Sequence, residues 1–124
     1  MYLKIPIPLF GGFCYVCYDA KEFLELTGEE VPEKTLAICA REKSLAIFLQ
    51  SKDCLNHELI HLSWYILDFY GVRIDVDNHE ALAYLHDSLR DTIESDNQYQ
   101  SLPYKITIPS LSEKQICGEA GQVK

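Results

Sequence analysis

The chain has 124 residues, 48% of them apolar and 24% charged, with a net charge of −8. That length fits a single domain and suffices to bury a core without covalent staples. The acidic balance excludes a general nucleic-acid backbone binder, which needs a basic face. No apolar run approaches the roughly 20 residues of a membrane-spanning helix, so neither nucleic acid nor membrane is expected as a partner.

Residues 1–10 are apolar but broken by Pro6 and Pro8, so they lack the continuous apolar run of a signal peptide. Residues 2–9 alternate and read as a strand that the prolines confine to a sheet edge. Gly11 and Gly12 mark a turn, and residues 13–18 read as a second strand. Residues 19–26 read as a short helix capped by Asp19, with Phe23, Leu24 and Leu26 on its apolar side. A polar loop over residues 27–34 leads to two apolar runs, residues 35–40 and 45–49. The polar Arg41-Glu42-Lys43-Ser44 joins them as a hairpin. A central helix is expected over residues 51–70, a connector over 71–76 and a second long helix over 78–94. The apolar stripe of that second helix is Leu82, Leu85, Leu89 and Ile93. Residues 95–101 read as loop, residues 104–108 as one more strand, and residues 109–124 as a loosely held tail. The expected architecture is α+β, a small, mostly antiparallel sheet backed by two long helices.

Five cysteines, Cys14, Cys17, Cys39, Cys54 and Cys117, are an odd number, and three of them sit among apolar residues. A disulfide framework is not expected, and a reducing, cytoplasmic compartment fits. Cys14-x-x-Cys17 has no second pair to complete a zinc knuckle. In an alternating run its two thiols belong on opposite faces of a strand.

The central helix carries His57-Glu58-Leu59-Ile60-His61, an HExxH sequence. Residues four apart lie one turn above each other, so His57 and His61 can aim two imidazole nitrogens at one point. That is how a helix holds zinc. Glu58 lies about 100° round the helix, within reach of a metal-bound water without being a ligand. Leu55, Leu59, Leu62, Ile66 and Phe69 form the apolar stripe that makes this segment helical. His57, His61, Trp64 and Asp68 form a second stripe. Ser51 or Asp53 can cap the start, and Gly71 stands where a C′ glycine belongs. The plainer alternative is a buried helix with two hydrogen-bonded histidines.

Catalytic zinc takes three protein ligands and a water. Trp64 and Leu67 occupy the positions where HExxHxxGxxH carries its glycine and third histidine, which excludes that pattern. His79, Glu80, His86, Asp75 and Asp87 remain as candidates. Glu80, in the first turn of the second long helix, resembles the helix-borne glutamate that follows HExxH at about this distance in gluzincin metallopeptidases. The resemblance covers residues 47–89. In size it is closest to single-domain minigluzincins and to short HExxH proteins of bacteriophages. His79 departs from the usual Asn-Glu step. The resemblance implies a minimal zincin-like domain with one zinc on His57, His61 and Glu80, and Glu58 as general base. It also implies a peptide or protein substrate and, if the gene is a phage's, action in the bacterial host's cytoplasm. The alternative for Glu80 is the fourth residue of an Asp77-x-x-Glu80 capping box. Tyr84 is a possible oxyanion donor or a packing residue, and Asp68 a possible hydrogen-bond acceptor for a ligand histidine or a surface aspartate.

The activity implied is peptide hydrolysis through a zinc-bound water. The strand entering the helix would offer its edge to an extended peptide. Two other functions suit the same residues. One is a zinc-stabilised or metal-free interaction protein without turnover, and the other an HExxH peptidase that cuts a single regulator.

Overall fold

Four short strands make one mixed sheet in the order β1-β2-β4-β3. The protein is seen here in a computed structural model that describes residues 1–105. The strands are β1 (Leu3–Pro6), β2 (Phe13–Cys17), β3 (Ala37–Ala40) and β4 (Ala46–Leu49). The helices are α1 (Ala20–Thr27), α2 (Leu55–Phe69), α3 (Glu80–Glu94) and the short α4 (Asn97–Gln100). β1–β2 and β3–β4 are antiparallel and β2–β4 is parallel. The expected α+β class with two long helices is what the chain adopts. The tail over residues 109–124 and most of the strand expected over 104–108 lie outside the described residues.

Strand side chains alternate between faces, and the sheet uses both. On β4, Ile47 and Leu49 enter one apolar cluster and Ala46 and Phe48 the other. β3 repeats the division, with Ala37 and Cys39 on the first side and Ile38 and Ala40 on the second. The larger cluster receives Leu59, Leu62 and Ile66 from α2 and Leu85, Leu89 and Ile93 from α3. The smaller receives Phe23 from α1. The sheet therefore lies between α1 on one side and the α2–α3 pair on the other, which is why β3 and β4, buried throughout, read as continuous apolar runs.

Cys14 and Cys17 fall into different clusters, as expected of two strand residues three apart. Burial pushes both thiols up to about 12, so neither is a nucleophile near neutrality. Cys39 is likewise buried.

Three expectations are corrected. Residues 97–100 form α4, capped by Asp96 and burying Tyr99, where only loop was expected. Phe69, assigned to the apolar stripe of α2, is 70% exposed, and Leu67 is buried. β4 also has no open edge. It is paired with β2 on one side and β3 on the other, so the strand entering α2 cannot receive a peptide by edge addition. Among the described residues no helix is long and apolar enough to cross a membrane.

Candidate functional site

The HExxH helix leaves the middle of the sheet, and its start is tied down. Ser51, fully buried after β4, accepts hydrogen bonds from the amides of Asp53 (3.3 Å) and Lys105 (3.1 Å). The Lys52 amide donates to Pro103 O at 2.9 Å. A 3-10 turn, Lys52–Cys54, then runs straight into α2. The far end closes with Gly71 at φ 76°. The Gly71 amide donates to Asp68 O (3.1 Å) and the Val72 amide to Leu67 O (2.8 Å), the double bond of a glycine C-cap. Helix axis and rotation are therefore set at both ends.

That rotation decides what each residue of the motif meets. The His57 and His61 ring centres lie 5.0 Å apart at 67° to each other. Zn–N bonds of about 2.0–2.1 Å hold an imidazole centre roughly 3 Å from the ion, so two rings sharing one tetrahedral ion stand about 5 Å apart. The pair fits zinc in donor type and separation. His57 is exposed and His61 half-buried. Glu58 turns inward and is 0% exposed.

The stripe continues beyond the histidines. The Tyr65 ring lies against His61 with centres 6.2 Å apart. The Arg41 guanidinium sits 4.5 Å above the Tyr65 ring and its Nη2 donates to Asp68 Oδ2 at 2.7 Å. Asp68 is thus the partner of Arg41 from the β3–β4 turn. Trp64, half-exposed, shares with Asp68 and Arg73 the wall of a shallow cavity of about 370 Å³. Arg41 was missed in the sequence. Tyr65 had a signal, standing four residues after His61, but nothing in the chain says which way a hairpin turn leans.

Glu80 opens α3, which packs along α2. The capping box does not form. His79 occupies the N-cap without a side-chain bond, and the turn before it is closed by Asp75 and Asn78 instead. Asp75 Oδ1 accepts from the amides of Asp77 (2.8 Å) and Asn78 (3.2 Å), and Asn78 Oδ1 accepts from the Asp75 amide (2.7 Å). Glu80 and Tyr84 are both exposed on one face of α3. His86 lies beside Asp87 at 3.2 Å, as a packing histidine does. Among the described residues no three His, Cys, Asp or Glu side chains are gathered closely enough to hold a metal, so Glu80 is not drawn in with the histidine pair.

No family model, curated protein or solved structure matches the chain. The class defined by fold and site is an α+β domain whose histidine pair rides on the helix leaving its central strand.

Proposed function

We propose that the chain is a small zinc-dependent metallopeptidase of gluzincin type, acting on a peptide or protein substrate. The observation that carries this reading is the His57–His61 pair, 5.0 Å apart on one helix, with Glu58 next to His57 in the chain. His57 and His61 hold the metal in this reading. Glu80, exposed at the start of the helix packed against α2 and outside any capping bond, stands apart from the pair and would have to turn toward it to complete the ligand set. Bound zinc supplies Lewis-acid activation of water and of a peptide carbonyl. Glu58 receives the proton of the attacking water and passes it to the leaving amine.

A second reading, a zinc-stabilised interaction protein without turnover, is favoured by one observation. Glu58 is wholly buried, whereas a general base must reach a substrate-facing water.

One set of measurements separates the two. Purified protein is expected to carry one zinc per chain and to cut peptides in a chelator-sensitive way. Glu58→Gln should retain zinc and remove hydrolysis, because an amide keeps the shape and loses the base. Glu80→Gln should weaken zinc binding while the metal-free protein melts as before, since no capping bond is lost. Zinc without turnover selects the interaction protein. The same zinc content in His57→Ala as in the parent overturns both zinc readings.

A further inference from the structure

The stripe that carries the histidines does not stop at His61. Tyr65 stands one turn further along α2 and Asp68 most of a turn beyond it, so His57, His61, Tyr65 and Asp68 share one face of the helix. The His61 ring lies between its neighbours on that face, with centres 5.0 Å from His57 and 6.2 Å from Tyr65. The planes of His61 and Tyr65 are 25° apart, an offset stack. Both side chains are half-buried.

Tyr65 is itself held from outside the helix. Arg41 comes from the β3–β4 turn, and its guanidinium carbon lies 4.5 Å from the centre of the Tyr65 ring. A planar, weakly hydrated guanidinium suits the face of an aromatic ring better than an ammonium does. The same guanidinium donates from Nη2 to Asp68 Oδ2 at 2.7 Å. As an ion pair this contact contributes little, because the two side chains are 44% and 60% exposed. Its effect is geometric, since it ties Arg41 to the helix beside Tyr65. Asp68, Arg41, Tyr65 and His61 form one continuous run of contacts that ends on the second imidazole of the pair.

A histidine that binds a metal gives up rotation about two side-chain bonds. Where packing has already fixed the ring, that loss falls on folding and the metal binds more tightly. We infer that Tyr65 is a positioning residue of the zinc site: clamped by Arg41 and Asp68, its ring holds the His61 imidazole in the orientation that binds the ion. The inference rests on the zinc reading of the histidine pair, which both proposed functions share. It adds that zinc affinity depends on a residue that is no ligand and on a turn outside α2.

The test uses the full chain, stripped of metal by chelator and then titrated with zinc against a chromophoric chelator of known affinity. Tyr65→Leu should weaken zinc about fivefold, and Tyr65→Phe, which keeps the ring, should bind within about twofold of the parent. Arg41→Gln should weaken zinc about threefold with every ring still present. Proton NMR of the metal-free protein adds a readout that needs no zinc. The His61 ring protons should carry the ring-current shift of Tyr65 in the parent and in Tyr65→Phe, and lose it in Tyr65→Leu. Equal zinc affinity in Tyr65→Leu and the parent overturns the inference even if that variant melts lower, because Tyr65 would then only pack. A loss in Tyr65→Phe as large as in Tyr65→Leu also overturns it, by assigning the effect to the hydroxyl. If Tyr65→Leu does not fold, Arg41→Gln decides, and an unchanged affinity there overturns the inference. A parent that binds no zinc overturns the zinc reading and this inference with it, whereas the other results overturn the inference alone.

Discussion

Two imidazoles four residues apart reach a separation of 5.0 Å by helix geometry alone. Their neighbours on α2 needed more than spacing. Periodicity puts Glu58 beside the metal face and Phe69 in the core. The first is wholly buried and the second largely exposed, because the docking of α2 on the sheet decides which arc of the helix is covered. Cys14 and Cys17 show the same force acting on titration. Burial raises both thiols to about 12 from an ordinary value near 9. The unfolded chain releases these protons above pH 9 while the folded chain keeps them, so it binds fewer protons in that window and stability falls as pH rises. The contribution is fully present below about pH 9 and is lost by about pH 12. From Cys14 alone the slope is at most about 1.4 kcal/mol per pH unit. Urea melts at pH 8, 9.5 and 11 should show a steady loss that Cys14→Ala lessens. A flat profile would mean that the thiols are open to water in the folded state.

Among the elements, those with a capping signal matched expectation best. Asp19 accepts from the Lys21 amide at 2.8 Å at the start of α1, Ser51 caps the entry to α2, and Gly71 closes α2. At α3 a rival local arrangement won. Asp75 and Asn78 close the preceding turn through each other's backbone, and the helix begins later than a capping box would require. Gly71 offers a clean test of the C-cap. A Cβ there meets nothing within 4 Å, so Gly71→Ala adds only the strain of a left-handed backbone on an L residue. Chemical denaturation should record a loss of about 1 kcal/mol. Gly12→Ala should lose more, because its Cβ would also stand 2.7 Å from the Tyr70 hydroxyl. Equal losses would show that the contact with Tyr70 relaxes freely.

For the molecule as a whole, both faces of the sheet are covered, and α2 is the element through which sheet, α3 and histidine pair meet. A metal held by α2 and α3 would bind the folded chain and not the unfolded one. Zinc at about 100 times its dissociation constant should then add about 2.7 kcal/mol. A thermal melt with and without zinc should show the increase in the parent protein and lose it in His61→Ala. A zinc-induced rise of the same size in that variant would place the binding elsewhere.

Some features of this protein are local in origin and were legible in the chain. The HExxH pair follows from helical spacing, the caps of α1 and of the 3-10 turn before α2 from side chains two residues from their amides, and the buried stripe of α3 from a period of 3.6. The opposite faces of Cys14 and Cys17 follow from the pleat. Other features depend on contacts between residues far apart in sequence. The parallel β2–β4 pairing takes the open edge from the strand before the motif. The lean of the β3–β4 turn sets Arg41 over Tyr65 and against Asp68. The burial of Glu58 and the exposure of Glu80 depend on how α2 and α3 are docked. Sequence periodicity states which residues share a face, but the free energy of burying that face against a partner selects its orientation, and the partner exists only once the chain has folded.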